Sequence, residues 1–173
     1  MSESKKVALI TGANKGIGFE TARQLGNAGV TVVLGSRDLA KGKAAAAKLG
    51  ADGIDAHPLK LDVTNAADRD AAVKFLEQNF GKLDILINNA GIAEVGAWGG
   101  NDTSSTTPET LRQVFETNLF APVALTLALL PLLRKSAAAR IVNLSSIMGS
   151  LTLHSDPKSP IYNVKPFAYD ASN

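Results

Sequence analysis

Short apolar runs alternate along this chain with longer stretches in which apolar residues recur every three or four positions. The runs are VALIT (7–11), VTVVLG (30–35), PLKLDV (58–63), LDILIN (83–88) and RIVNLS (140–145). Rich in valine, isoleucine and leucine, each reads as a strand covered on both faces. Between them the spacing predicts helices over residues 16–28, 39–49, 66–80 and 108–135, the last as one helix or as two meeting near Asn118. Thr107 and Pro108 mark its start, because a threonine hydroxyl can accept the first free N–H groups and proline fits the first turn. Strand and helix in alternation predict an α/β fold: a doubly wound parallel sheet between two layers of helices. Two irregular stretches, 92–106 and 149–166, are rich in Gly, Ser, Thr, Asp or Pro and follow strand ends, where such sheets place their ligands.

Composition narrows the function classes. A chain of 173 residues, 45% hydrophobic and 20% charged, fits a single domain over 1–173 with a sizeable core. Eighteen Lys and Arg against sixteen Asp and Glu give a formal charge of +2, with the basic residues dispersed singly. That argues against nucleic acid or an anionic membrane as partner. The N-terminal MSESKKVALITGANKG has too short an apolar run for a signal peptide. The stretch 119–133 is interrupted by Pro122 and Pro131 and falls short of the roughly 20 residues of a membrane span. A soluble, cytoplasmic protein is expected. The absence of cysteine removes disulfides, thiolate metal sites and cysteine nucleophiles, and no metal site is expected.

The first turn, ITGANKGIG, places Gly12, Gly16 and Gly18 between a strand and a helix. Glycine lets the backbone turn tightly and approach a pyrophosphate, to which the helix N-terminus offers free N–H groups. An ordinary strand-to-helix turn satisfies the same pattern, and the spacing is not the commonest dinucleotide fingerprint. Three further segments join it: NNAG (88–91), FETNLFAP (115–122) and NLSS (143–146). Together these motifs resemble the short-chain dehydrogenase/reductase family, over residues 6–173. TGANKGIG is most similar to its NADP(H)-using members, including the carbonyl reductases.

The resemblance implies a Rossmann-type sheet of order 3-2-1-4-5 whose family members continue for further C-terminal strands, and a hydride transfer between nicotinamide and a small-molecule carbonyl or secondary alcohol. It places the cofactor on Gly12, Asn14, Lys15, Gly16, Ile17 and Gly18, on Asp62 and Val63 at adenine, and on Asn89, Ala90 and Gly91 along the channel, while Asn88 pins neighbouring strands. Arg37 stands where NADP-preferring members carry a base, and Ser36 replaces the acid that binds an NAD ribose, so NADP(H) is favoured over NAD(H). Asp62 could equally cap the helix that starts near Ala66. The implied catalytic residues are Asn118, whose main chain interrupts a helix and holds a relay water, Ser146, with Ser145 as the fallback, and Tyr169, the proton donor. Asn118 could instead mark a simple kink before Pro122. The family also tends to form homo-oligomers.

One position departs from the family. Four residues after its tyrosine the family carries a lysine that binds the nicotinamide ribose and favours the phenolate by its charge; here stands Asn173. A cofactor-binding chain with impaired chemistry is therefore expected, and a non-catalytic dinucleotide-binding or interaction module is the alternative. Tyr162 and Lys165 are only three apart, and Pro166 biases Lys165 to extended backbone, so they are not read as the active pair. His57 and His154 have no acidic partner at ligand spacing and are read as structural or solvated; Trp98 is read as a loop anchor or pocket wall.

Overall fold

The computed structural model describes residues 5–93 and 103–173. Its contacts divide the chain into two compact units, Met1–Ala90 with Val123–Leu144, and Gly91–Pro122 with Ser145–Asn173. The first unit holds a five-stranded parallel sheet of order β3-β2-β1-β4-β5. Its strands are β1 (Val7–Thr11), β2 (Thr31–Ser36), β3 (Ala56–Lys60), β4 (Ile85–Asn88) and β5 (Arg140–Asn143). Between them run α1 (Gly16–Asn27), α2 (Leu39–Ala51) and α3 (Ala66–Phe80). Every residue of β1 and β2 is buried, as their unbroken apolar runs require. Ala8, Ile10, Val32, Leu34 and Ile87 form one core with Ala22 of α1 and Ala45 and Leu49 of α2. Asp38 caps α2 through the N–H groups of Ala40 and Lys41, and Asn65 caps α3 through that of Asp68.

One strand is displaced from its expected place. β3 pairs with β2 from Val32↔Ala56 to Ser36↔Lys60, two or more residues earlier than the apolar alternation of 58–63 predicts. Proline is tolerated within it because β3 is an edge strand. After Lys60 the chain leaves the ladder: Leu61 N–H closes on the Ser36 carbonyl and Asp62 N–H turns to the Asp68 side chain. Leu61 and Val63 are nevertheless buried, which is why they imitate a strand in the sequence.

The long apolar segment forms α4 (Pro108–Phe115), a π-helical turn (Glu116–Phe120) and α5 (Ala121–Leu133). Thr107 caps α4 with Pro108 in its first turn. Helical structure runs unbroken for 26 residues, Pro108–Leu133, with mean hydropathy 1.5 in its most apolar window, so by length and composition it reaches the size of a membrane span. This corrects the expected interruption. Pro122 is absorbed by the π turn, since the carbonyl of Asn118 would otherwise seek an N–H that Pro122 lacks. Pro131 and Leu127, one turn apart, are both exposed, so the ladder is broken on the wet side. Leu125, Leu129, Leu132 and Leu133 are buried, and Leu83 N–H donates to the Leu132 carbonyl. Core helices of soluble proteins share that length and apolarity.

In the second unit, 3₁₀ turns at Thr103–Ser105 and Ile147–Gly149 accompany α6 (Leu151–Ser155) and α7 (Phe167–Ala171). Trp98 and part of the 92–106 stretch lie outside the described residues.

Candidate cofactor turn and candidate catalytic residues

Parallel register sends the segments after four strands out of one sheet edge. Thr11 lies level with Gly35, Ser36 with Lys60, and Ile10 with Ile87. The glycine turn, Arg37, Asp62 with Val63, and Asn89 with Ala90 therefore share that edge. Between β1 and β4 the strand order reverses, the place where open sheets of this kind take ligands.

Thr11 holds two of these segments together, a role the sequence reading missed. Its hydroxyl oxygen accepts the N–H groups of Asn89 and Ala90, both at 2.9 Å. Asn89 returns its side-chain amide to the Thr11 carbonyl at 2.8 Å. Asn88 is buried and donates its amide to Asn143 Oδ1 at 2.8 Å and Thr126 Oγ1 at 3.2 Å, tying β4 to β5 and α5. The threonine of the ITG triplet was the available signal, since a buried hydroxyl requires a partner.

At Gly12 and Gly18 the turn has little room for a side chain. Gly12 and Gly16 have φ of 65° and 60°, the left-handed region. A Cβ on Gly18 would lie 2.5 Å from Asn89 Nδ2 and 2.9 Å from the Gly12 carbonyl oxygen. Lys15 occupies the N-cap of α1 without a side-chain cap bond, and Lys15, Gly16 and Ile17 are exposed while Asn14 is half-buried. A tight backbone cradle ahead of an uncapped twelve-residue helix suits an anionic group such as a pyrophosphate.

Arg37 is exposed just past β2, whereas Ser36 is buried and donates its hydroxyl to the Asp38 carbonyl at 2.8 Å. Asp62 does not cap α3; that is Asn65. Its carboxylate instead accepts Thr64 N–H at 3.0 Å and Thr64 Oγ1–H at 2.8 Å, while its own N–H goes to Asp68 Oδ2 at 2.8 Å. A hydrogen bond from Lys60, reinforced by the Asp62 N–H, holds the Asp68 carboxyl below the usual carboxylate range. Asp68 thereby fixes the backbone that presents Asp62 and Val63.

The second unit holds Gly91, Asn118, Ser146 and Tyr169. Asn118 sits in the π turn; its Oδ1 accepts Ile92 N–H at 2.9 Å, and its Nδ2 donates to the Ile92 carbonyl and to Ser172 Oγ, each at 2.9 Å. A side chain so engaged is more than a kink. Ser172 in turn donates to the Tyr169 carbonyl at 2.9 Å, which links Asn118 to α7. Ser146 is half-buried, and its Oγ accepts Met148 N–H at 3.2 Å at the head of the 3₁₀ turn. Accepting uses a lone pair and leaves the O–H proton for donation. Ser145 is exposed. Tyr169 is half-buried on α7, and Asn173 Nδ2 meets its main-chain carbonyl at 2.6 Å. Lys165 bonds to the His154 carbonyl at 3.0 Å and stands 5.3 Å from the Tyr162 ring centroid. Each histidine has an acidic neighbour in the structure: His57 Nε2 lies 2.8 Å from Asp55 and His154 Nε2 lies 3.2 Å from Asp170. Strand alternation brings the first pair together and the fold the second, neither at a metal-ligand spacing. Among the described residues no cluster of His, Cys, Asp or Glu could hold a metal ion.

A family model described as short chain dehydrogenase matches residues 6–160. This chain belongs to the short-chain dehydrogenase family. Its members are oxidoreductases that bind NAD(P). The chain is 39% identical to short-chain dehydrogenase anuI of Penicillium roqueforti over 90% of its own length and 62% of that protein. It is 38% identical to (+)-neomenthol dehydrogenase of Capsicum annuum over 87% of its length and 59% of that protein. The chain thus spans less than two thirds of the length of these curated relatives. A metagenomic short-chain oxidoreductase solved in complex with NADP matches with a TM-score of 0.79 and 31% identity, over 99% of this chain and 72% of that one.

Proposed function

We propose that this chain belongs to an NADP(H)-preferring reductase of small-molecule carbonyl compounds that works through Asn118, Ser146 and Tyr169. The supporting observation is the glycine turn, closed to side chains at Gly12 and Gly18, ahead of an α1 with no side-chain cap, together with an exposed Arg37 just past β2 and serine rather than an acid at position 36. Gly12, Asn14, Gly16, Ile17 and Gly18 would hold the pyrophosphate through the backbone. Lys15 and Arg37 would pair with the 2′-phosphate, the latter through its planar fork. Asp62 and Val63 would face adenine, and Asn89, Ala90 and Gly91 would line the path beyond it.

When bound, the reduced nicotinamide supplies a hydride to the carbonyl carbon. Ser146 donates its hydroxyl proton as a hydrogen bond to the carbonyl oxygen, and the Tyr169 phenol gives that oxygen its proton. Asn118 presents a main-chain carbonyl in the π turn to a relay water. Asn173 is neutral, so it supplies no positive charge to Tyr169, and its amide is spent on a main-chain oxygen. Impaired turnover follows. Similarity to (+)-neomenthol dehydrogenase is in keeping with a secondary alcohol or its ketone as the substrate class.

Arg37→Ala should weaken NADP(H) about tenfold or more and hardly change NAD(H), because a lost charge-assisted contact costs on the order of 1.5–3 kcal/mol. Fluorescence titration of both reduced cofactors checks this, and equal losses would defeat the NADP(H) assignment. Asn173→Lys should raise NADPH turnover on a carbonyl panel; a parent chain already at rates usual for such enzymes contradicts the impairment.

We also infer a soluble cytoplasmic homo-oligomer. β5 is an edge strand with Ile141 and Val142 exposed, and Val123 and Leu127 stand exposed one turn apart on α5. Unpaired edges and apolar helix faces invite a second copy. Sedimentation at tens of micromolar should show dimers or larger species that Val142→Lys or Leu127→Glu shifts toward monomer. A parent that sediments as monomer is the contrary result.

A further inference from the structure

His154 occupies a place in the second unit that the proposed chemistry does not use. Its Nε2 lies 2.8 Å from the main-chain oxygen of Met148 and 3.2 Å from Asp170 Oδ2. Both neighbours are acceptors, so Nε2 must carry the proton. Its Nδ1 faces Lys165 Nζ at 3.5 Å, and an ammonium can only donate. Lys165 is anchored there by its bond to the His154 carbonyl and by the face of Tyr162. The surroundings therefore select one form of the ring, neutral with hydrogen on Nε2. Among the described residues the charged groups against the ring are Asp170 on α7 and Lys165 on the segment before it.

The two acceptors matter because of what they adjoin. Met148 is the residue whose N–H is held by Ser146 Oγ, so the carbonyl gripped by His154 belongs to the turn that aims Ser146. Asp170 follows Tyr169 on α7, a helix of only five residues with no side-chain cap at its start. So short a helix cannot hold its own orientation and depends on external ties. Ser172 supplies one tie, to Asn118. His154 supplies a second, at 12% exposure and so largely shielded from competing water.

We propose that His154 is a positioning residue: fixed by Lys165 as the neutral Nε2–H tautomer, it clips the turn that follows Ser146 to the helix that carries Tyr169. The proposal rests on the roles assigned above to Ser146 and Tyr169, but its test does not need turnover. The chain has two histidines and two tyrosines, so each signal can be assigned by one substitution, His57→Gln and Tyr162→Phe.

Nitrogen-15 imidazole spectra of the unmodified chain at about pH 8, above the ordinary histidine range, should show His154 neutral with its proton on Nε2. With carbon-13 in the tyrosine rings, His154→Leu should move or split the Tyr169 resonance. His154→Gln, whose amide places a donor near the old Nε2, should bring it back. On a carbonyl substrate, His154→Leu should lower kcat about tenfold with little change in KM, because a small misplacement of reacting groups acts on the chemical step. His154→Gln should recover most of the loss. An Nδ1–H or charged ring, or a Tyr169 resonance unchanged in His154→Leu, overturns the proposal. Turnover absent from Asn173→Lys as well, in a chain that passes both spectroscopic tests, counts against the reductase reading and leaves the clip standing.

Discussion

Gly18→Ala should fold less stably and lose at least tenfold in NADPH affinity, the larger effect of any single methyl added to the glycine turn. The new Cβ would lie 2.5 Å from Asn89 Nδ2, 2.9 Å from the Gly12 carbonyl oxygen and 3.1 Å from Ala13 Cα. The Asn89 amide cannot simply swing aside, because it is bonded to the Thr11 carbonyl at 2.8 Å. The other two atoms are backbone, so the turn itself must open. Overpacking of this kind costs about 1–3 kcal/mol, which for a chain of this size lowers the melting temperature by roughly 2–4 °C per kcal/mol. Cofactor affinity falls further because the opened turn no longer aims its N–H groups at one point. Gly50→Ala is the control. Gly50 is exposed on α2 with nothing within 4 Å of its Cβ position, so alanine there should stabilise by about 0.5–1 kcal/mol and leave NADPH binding untouched. Scanning calorimetry and fluorescence titration on the two variants check both statements. Parent-like NADPH binding by Gly18→Ala would remove the glycine turn from the proposed cofactor site.

The sheet was legible because its evidence is local. Unbroken apolar runs signal buried parallel strands, and Thr107 with Pro108 marks where a helix begins; the caps Asp38 and Asn65 were not read from the sequence, where Asp62 stood in for the latter. β3 was misplaced because Leu61 and Val63 are buried without being paired, and burial is all that an apolar pattern reports. The π turn was half legible: Pro122 announces a break, but how a helix absorbs it depends on the carbonyl it strands four residues earlier. The His154–Asp170 pair was not legible at all, since its residues are sixteen positions apart and meet only through the fold of the second unit. Asp84 escaped notice for a different reason. In LDILIN it reads as one polar residue in a strand, and nothing local says what it binds.

Asp84 is the last residue expected to show a large effect, on stability rather than on binding. It is 5% exposed; its carboxylate accepts Val7 N–H at 2.9 Å, pairs with Lys82 at 3.0 Å and accepts the Ser136 hydroxyl. One side chain thus joins the start of β1, the approach to β4 and the chain after α5. Asp84→Ala strands a main-chain N–H and a hydroxyl in a largely dry place, which costs on the order of 3 kcal/mol. Asp84→Asn keeps the shape but trades an acceptor for a donor and drops the ion pair, for roughly 2 kcal/mol. Burial by itself would push this carboxyl up, but the bonds from Ser136, Val7 N–H and Lys82 outweigh it and hold it below the usual carboxylate range. The unfolded chain therefore takes up the proton first as pH falls. The stabilisation is complete above the ordinary aspartate value of about 4 and is lost below it, toward the depressed folded value. Asp38, Asp55 and Asp68 are depressed too, but they are common to parent and variant and cancel in the difference. Urea unfolding of parent and Asp84→Asn should accordingly show a gap of roughly 2 kcal/mol at pH 7 that narrows toward about pH 3. A gap that stays constant with pH would mean the carboxylate's charge contributes nothing to holding β1 against β4.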